Sequence, residues 1–252
     1  MDTQILLQRL DEIGSSLEQS GHALALIGLG SVGLELDRLD RYSDLDFFAI
    51  VEAGCKQEYL DSLQWLSDIH PIAYSFRNTV DGYKVLFADG IFCEFAVFEL
   101  AELEHIPFAP GRIVWKRTDA PDTLSQPAFA STPPSNHSQD WLLGEALTNL
   151  YVGLNREKRG EKLSATRFIQ GYAVDHVLEL VEQIASENKT HRDPFANERR
   201  FEQRFPDIAG EMNKWIQGYK RNCESALEIL SFLEKRFDIN GAMAKAIRKL
   251  CV

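Results

Sequence analysis

The chain has 252 residues, of which 44% are hydrophobic and 10% aromatic, and its formal net charge is −11. This length and hydrophobic content argue against global disorder and allow one large or two modest packed domains. The negative charge argues against a nucleic-acid partner, because binding a polyanion needs a basic surface. It favours a cationic small molecule instead, since an acidic cleft concentrates cations.

Cysteine and histidine usage gives no sign of a metal or disulfide framework. The four cysteines are widely spread, without a C-x-x-C pair, and the six histidines show no metal-ligand spacing. The N-terminus lacks the basic and apolar segments of a signal peptide, and no apolar run approaches the length of a membrane span. We therefore expect reduced thiols, a cytoplasmic location and no membrane partner.

The first half of the chain alternates predicted helices and strands. Apolar periodicity predicts, in chain order, a helix over 3–19, strands over 23–27 and 47–51, a helix over 57–69, and strands over 71–76, 83–87 and 91–98. Asp89-Gly90 between the last two strands suits a tight hairpin turn. This half therefore predicts a small sheet covered by helices.

The second half is predicted to be helical. Proline, serine and threonine over 118–138 have the composition of a linker and predict two domains, 1–130 and 131–252. Beyond the linker, apolar residues at helical intervals predict helices over 140–155, 164–186, 207–237 and 241–250. The predicted fold class is α+β, with a small mixed-sheet domain followed by an all-helical bundle.

The stretch from Gly28 to Asp46 carries the clearest chemical signal. An apolar run leads into the small turn Gly30-Ser31, and two carboxylates, Asp44 and Asp46, open the next apolar run. Residues two apart on a strand lie on one face, where two carboxylates repel each other unless a cation lies between them. Beside a Gly-Ser turn, a hard cation such as magnesium, carried with a phosphate, fits this pattern.

The same glycines also spell a dinucleotide-binding fingerprint, G-x-G-x-x-G, at Gly28, Gly30 and Gly33, and Glu52 ends the next strand. Three features argue against that interpretation. The short helix predicted over 32–39 is interrupted by charges, and a buried parallel strand poorly tolerates the carboxylates that open the second strand. The later hairpin also differs from another strand–helix–strand unit.

The Gly30-Ser31 turn, the short helix and the Asp44-Leu45-Asp46 strand together resemble the nucleotidyltransferase superfamily of DNA polymerase beta. In detail, residues 30–48 are similar to the lincosamide nucleotidyltransferases, as are residues 163–175 and 193–202. The resemblance covers most of the chain and implies a nucleotidyltransferase domain followed by a helical domain. One departure is Val32, since many small members of the superfamily carry an arginine just after the serine.

The resemblance also implies a third acidic residue, and Glu94 occupies its position. Glu94 is a lone acid in the apolar run Ile91–Phe98, where an unpaired carboxylate would be costly to bury. The family pattern implies that Asp44, Asp46 and Glu94 hold two magnesium ions. One ion would bridge the triphosphate, and the other would lower the pKa of an acceptor hydroxyl that attacks the α-phosphorus and expels pyrophosphate.

Candidate phosphate contacts lie in both halves of the chain. Gly30 and Ser31 are expected to hold the β- and γ-phosphates at a helix N-terminus. Past the linker, Lys162 and Arg167 belong to a basic cluster. They are candidates for binding the triphosphate, although a charge run more often forms a solvated face.

Two classes of function remain open at this stage. The first is an enzyme that transfers a nucleoside monophosphate from ATP or another nucleoside triphosphate to a hydroxyl of a small cationic molecule. The resemblance favours a lincosamide antibiotic, and hence antibiotic resistance, over an aminoglycoside. The second is a regulatory or antitoxin-like protein acting on a protein partner, which the presence of all three acids disfavours. The preferred nucleotide and the choice between monomer and homodimer stay open.

Overall fold

The computed structural model describes residues 3–128, 137–193 and 195–252. The chain divides into two compact units, Met1–Thr132 and Pro133–Val252. The first unit contains a mixed six-stranded sheet with helices, and the described part of the second is helical without strands. The predicted fold class, a mixed-sheet domain followed by a helical bundle, is therefore confirmed. The domain boundary predicted between residues 130 and 131 lies outside the described residues.

The N-terminal unit contains, in chain order, α1 (Thr3–Ser20), β1 (Ala23–Gly28), β2 (Leu45–Val51), α2 (Lys56–Asp61), α3 (Gln64–Ser67), β3 (Ile72–Arg77), β4 (Gly82–Phe87), β5 (Phe92–Glu99) and β6 (Arg112–Lys116). The single helix predicted over 57–69 is thus two short helices. Strand β6 is not predicted from the sequence, because it is only five residues long and lies half-buried at a sheet edge.

The strand order explains how the glycine-rich stretch is used. The sheet runs β3-β4-β5-β2-β1-β6. Strand β2 lies parallel to β5 but antiparallel to β1. A dinucleotide-binding unit needs two consecutive parallel strands joined by a crossover helix. The antiparallel β1–β2 pair therefore excludes that interpretation of the three glycines.

The two faces of the sheet are covered differently. Alternate residues of β2 and β5, among them Phe47 and Phe95, pack under α1, α2 and α3 in the larger apolar cluster of this unit. The opposite face has a smaller cluster, centred on Ile27, Ile50 and Phe98. Because side chains alternate along a strand, Asp46 and Glu94 project from this second, less covered face.

The C-terminal unit contains α4 (Gln139–Lys158), α5 (Lys162–Arg167), α6 (Ala173–Ile184), α7 (Phe201–Arg204), α8 (Pro206–Ala209), α9 (Met212–Trp215), α10 (Asn222–Arg236) and α11 (Gly241–Leu250). Helix α4 begins where Ser138 caps it, since the Ser138 hydroxyl accepts a hydrogen bond from the Trp141 amide at 3.2 Å. No helix within the described ranges is long and apolar enough to cross a bilayer.

Gly218, which is held by two hydrogen bonds, interrupts the long helix that the sequence predicts over 207–237. Gly218 has a φ of +94°, which ends regular helix before α10 begins. The buried amide side chain of Gln170 accepts a hydrogen bond from the Gly218 N–H at 2.8 Å and donates one to its carbonyl at 3.0 Å. Gln170 lies in the π-helical turn Phe168–Tyr172 that links α5 to α6. The single helix predicted over 207–237 is therefore wrong, because this segment forms three separate helices, α8, α9 and α10.

One ion pair in the N-terminal unit predicts acid sensitivity. The nearly buried Arg9 of α1 donates a hydrogen bond to Asp89, in the β4–β5 turn, at 2.7 Å. Burial alone would raise the pKa of Asp89, but the Arg9 contact, the hydrogen bond from the Ile91 amide and the charge of His70 together lower that pKa below its ordinary value. A carboxyl group with a lowered folded-state pKa stabilises the fold above its unfolded-state pKa, and this stability is lost as the pH falls through the folded value.

We therefore expect the melting temperature of Asp89→Asn to fall less steeply than that of wild type as the pH is lowered. Thermal melting between neutral pH and about pH 3 measures this. The exposed Asp68 provides the matched control, and Asp68→Asn should leave the acid limb unchanged. An Asp89→Asn curve that runs parallel to wild type would contradict the assignment.

Candidate active site

Asp46 and Glu94 are direct neighbours across the two parallel strands at the centre of the sheet. Asp46 of β2 pairs in register with Glu94 of β5. Adjacent strands lie about 4.8 Å apart, so the two carboxylates leave the backbone side by side on the same face. Both residues are half-buried. The sequence could not supply this pairing, because 47 residues separate the two acids along the chain.

Asp44 and the Gly-Ser turn lie at the same end of the sheet. Asp44 precedes β2 by one residue and is half-buried. The Leu29 amide donates a hydrogen bond to the Asp46 carbonyl at 2.8 Å, which extends the β1–β2 ladder to the start of the turn. Gly30 and Ser31 therefore follow directly after the backbone that holds Asp46.

The turn itself differs from the predicted helix over 32–39. Two single turns of 3-10 helix replace it, at Gly30–Val32 and Leu36–Arg38. The helix predicted over 32–39 is thus wrong, and the predicted phosphate contacts Gly30 and Ser31 stand at the start of a single 3-10 turn, with Ser31 half-buried. Gly33 is needed for packing, since a β-carbon there would lie 2.6 Å from the carbonyl oxygen of Gly28.

Two residues that the sequence reasoning missed hold the Glu94 carboxylate. The Lys84 Nζ lies 3.1 Å from its Oε2, and the Asn78 Nδ2 donates to its Oε1 at 3.1 Å. Lys84 is the register partner of Glu94 across β4 and β5. The alternation of β4 could have placed Lys84 on this face, but only strand pairing puts it opposite Glu94.

The three acids share a face, but their oxygens do not converge to metal-ligand spacing. Within the described ranges, three His, Cys, Asp or Glu ligand atoms come within 4.8 Å of one another at one place, His22, Glu52 and Cys55. The ion pair with Lys84 holds the Glu94 carboxylate on the side of β4. The donor set nevertheless suits a hard cation, because it consists of carboxylate oxygens on one half-exposed face.

Positive groups stand close to the Gly-Ser turn. The Arg112 side chain, from β6, donates to the Val32 carbonyl from Nη2 at 3.0 Å. Arg38 forms an ion pair with Glu35 and lies beside Gly30, 3.9 Å from the position a β-carbon would take there. An arginine thus reaches the turn through the tertiary structure, although Val32 stands where the family pattern has one in the sequence.

Lys162 and Arg167 are brought together within the helical unit. Both line a cleft of about 490 Å³, together with Tyr219 and Ser164. Lys162 lies 3.8 Å from the Glu157 carboxylate, and Arg167 is exposed. The lining also includes Glu161, so the cleft combines two cations with an acid, and the assignment of Lys162 and Arg167 to the triphosphate stays a prediction.

Aromatic residues near the acids divide between the two faces. Phe47 and Phe95 stack with ring centroids 5.2 Å apart in the helix-covered core, where they cannot contact a ligand. On the acid-bearing face, Phe76 of β3 pairs in register with Lys84 and so continues the row formed by Asp46, Glu94 and Lys84. Phe76 is 53% exposed. Strand β3 therefore offers an exposed aromatic surface on the face that carries the acids.

Comparisons with known proteins add little to this geometry. No protein-family model matches the chain, and no curated protein matches it. Among solved structures, an aminoglycoside 6-adenyltransferase from Bacillus subtilis aligns over 99% of this chain and 91% of that one, at 14% sequence identity and a TM-score of 0.36. A likeness this loose carries no argument about the activity, which has to be inferred from the residues themselves.

Proposed function

We propose that the chain transfers a nucleoside monophosphate from ATP, or another nucleoside triphosphate, to a hydroxyl group of a small cationic acceptor, with a lincosamide antibiotic as the preferred class. The observation that carries the proposal is the register pairing of Asp46 with Glu94 beside the Gly30-Ser31 turn. Asp44 shares their face by strand alternation. Carboxylates so placed are suited to magnesium and a bound triphosphate.

Glu94 can take part only if its ion pair with Lys84 opens. Each of the two side chains is 41% exposed. Ion pairs this exposed contribute only about 0–1 kcal/mol, so exchanging Lys84 for a divalent cation costs little. The released Lys84 would remain beside the site as a positive group for a phosphate oxygen.

Each part of the site has a role in this reaction. Asp44, Asp46 and Glu94 would hold magnesium, which when bound neutralises phosphate charge and lowers the pKa of the attacking hydroxyl. The amides of the Gly30-Ser31 turn would donate to the terminal phosphates. Arg112 holds the turn in place through its bonds to the Val32 carbonyl. Lys162 and Arg167 are further proposed contacts for the triphosphate.

The surface around the acids supports an amphipathic cation as acceptor. The chain carries a net charge of −11, which attracts cations. Tyr74 and Phe76 of β3 are exposed on the acid-bearing face, where an apolar part of the acceptor could pack. A lincosamide combines one amine, hydroxyl groups and apolar parts, whereas an aminoglycoside offers mainly amines and hydroxyl groups.

The direct test is transfer from labelled ATP. Purified protein with ATP and magnesium should add one nucleoside monophosphate to lincomycin or clindamycin, seen as a mass shift of the antibiotic, and should require magnesium. Reaction with aminoglycosides alone would make the chain an aminoglycoside nucleotidyltransferase. Labelling of a protein hydroxyl, with no antibiotic modified, would favour the regulatory alternative. No transfer to any acceptor would overturn the proposal.

The exposed aromatic surface gives a sharper test of acceptor binding. We expect Phe76→Ala to raise the KM for the lincosamide by about 3–10-fold with little change in kcat, because a buried aromatic contact is worth about 0.5–1.5 kcal/mol. The KM for ATP should not change. Tyr151→Ala, which removes a partly exposed aromatic side chain from α4 of the other unit, serves as the control. An unchanged lincosamide KM in Phe76→Ala would remove β3 from the acceptor site.

A further inference from the structure

Three side chains of different chemistry converge at the end of the β1–β2 pair remote from the acids. His22 precedes β1, Glu52 follows β2 and Cys55 precedes α2, and their ligand atoms all lie within 4.8 Å of one another. Glu52 is six residues beyond Asp46, so the cluster lies about 20 Å along β2 from the proposed magnesium site. It is therefore a separate site.

The backbone holds the three residues in place. The Glu52 amide donates to the His22 carbonyl at 2.9 Å, which continues the β1–β2 ladder. The Cys55 amide donates to the Glu52 carbonyl at 3.1 Å, in the turn that leads into α2. Ligands carried by strand ends and a tight turn need little ordering when an ion binds.

The distances suit a tetrahedral ion. The His22 Nδ1 lies 3.1 Å from the Glu52 Oε2. Nitrogen and oxygen ligands about 2.0–2.1 Å from zinc, with sulfur at about 2.3 Å, stand roughly 3.3–3.7 Å apart at the corners of a tetrahedron. The His22–Glu52 distance would have to widen by a few tenths of an ångström for both to bind one ion. The Cys55 Sγ, which lies within 4.8 Å of both atoms, would have to move closer by up to about 1 Å.

The second oxygen of Glu52 already has a partner that would support a metal ligand. The Arg117 Nη1 donates to the Glu52 Oε1 at 2.6 Å, and Arg117 is also bonded to Asp119 at 2.6 Å. The Oε2 atom is thereby directed towards His22. Carboxylates that bind metals are commonly oriented by such hydrogen bonds from outside the coordination sphere.

The surroundings of Cys55 are acidic. Partial burial and then the charges of Glu58, Glu52 and Glu99 raise the pKa of the Cys55 thiol. The negative charge of these carboxylates attracts a cation to the cluster. An ordinary His22–Glu52 hydrogen bond would not explain why a cysteine completes the group.

We propose that His22, Glu52 and Cys55 bind one zinc ion or a similar borderline-soft transition-metal ion, with water in the fourth position. Imidazole and thiolate ligands select this class over magnesium or calcium. Binding releases the thiol proton of Cys55 to solvent, so the metal–sulfur bond replaces the S–H bond. The ion would link the start of β1, the end of β2 and the start of α2.

Cobalt(II) is the probe, because tetrahedral cobalt with a thiolate ligand has a strong sulfur-to-metal charge-transfer band. The full-length protein should bind one cobalt ion with this band, and one equivalent of zinc should abolish it. Cys55→Ser should lose the band, and His22→Ala should weaken cobalt binding. The control variants Cys223→Ser and His105→Ala should bind like wild type. Absence of the band in wild type, or its full retention in Cys55→Ser, would overturn the proposal.

A second measurement uses the unaltered protein, so it does not depend on variants that fold. Zinc should slow alkylation of Cys55 by iodoacetamide, measured by peptide mass spectrometry, and leave the alkylation of Cys223 unchanged. Equal alkylation of Cys55 with and without zinc would contradict metal binding at this cluster. Neither measurement depends on nucleotide transfer.

Discussion

Replacing Asp46 with asparagine is expected to abolish nucleotide transfer while leaving the fold intact. Asparagine has nearly the same shape, so the change removes a negative charge and little packing. Loss of a carboxylate that holds magnesium against a triphosphate removes several kcal/mol of transition-state stabilisation, or about a 10³-fold decrease in kcat. Asp46 is the central test residue because it pairs in register with Glu94 and its carbonyl anchors the Gly-Ser turn.

The control for this variant is Asp11→Asn. Asp11 is exposed on α1, which covers the opposite face of the sheet. It should keep wild-type kcat and KM, and all the variants should keep the wild-type circular dichroism spectrum and melting temperature. Asp44→Asn should behave like Asp46→Asn. If both site variants retain wild-type transfer rates with magnesium, the metal assignment is wrong.

Replacing Arg204 with methionine is expected to destabilise the helical unit by about 3–5 kcal/mol, since methionine cannot make the charged hydrogen bonds of this fully buried guanidinium and leaves the largely buried Glu182 with Arg192 alone. The Arg204 side chain is fully buried and forms ion pairs with Glu182 and with Glu187, the latter at 2.6 Å. It also donates to the Asn197 side chain at 3.0 Å. In urea unfolding followed by circular dichroism, the midpoint for this unit should fall by roughly 2 M.

The neighbouring Arg199 provides the matched comparison. Its side chain is 58% exposed and pairs with Asp193 at 2.7 Å. Asp193 is largely buried but also pairs with Arg200 at 3.6 Å, and the exposed Arg199 is well hydrated, so Arg199→Met should leave the urea midpoint nearly unchanged. A loss of less than about 1 kcal/mol in Arg204→Met would show that Arg204 does not hold this part of the unit together. The predicted result would assign Arg204 a structural role, unlike Arg167, which is a candidate contact for the triphosphate.

The sequence by itself determined the class of the fold and the placement of Asp44 and Asp46 on one face. Two-residue spacing places Asp44 and Asp46 on one face of any strand that contains them, whatever its neighbours are. Apolar periodicity likewise predicts α1, α4 and the hairpin of β4 and β5, because each of these elements buries one regular face of its own. Such properties are local, so they can be read from one segment alone.

Local patterns failed where neighbouring segments decide the conformation. The segment between β1 and β2 forms two single 3-10 turns, held by amide hydrogen bonds to the Gly30 carbonyl and by the Arg112 side chain of β6 on the first turn. The segment predicted as one helix over 207–237 is interrupted at Gly218, which Gln170 holds from a different helix. The spacing of apolar residues cannot reveal the Arg112–Val32 contact or the Gln170–Gly218 contact, because the two residues of each pair are distant in the sequence.

Only the tertiary structure decided which residues stand beside the two aspartates. The parallel register of β2 and β5 puts Glu94 next to Asp46, and the antiparallel register of β4 and β5 puts Lys84 on Glu94. The same sheet brings His22 to Glu52 at its other end. Strand register is set by hydrogen bonds and by core packing between segments far apart in the chain, and a shift of one residue would turn every one of these side chains to the opposite face.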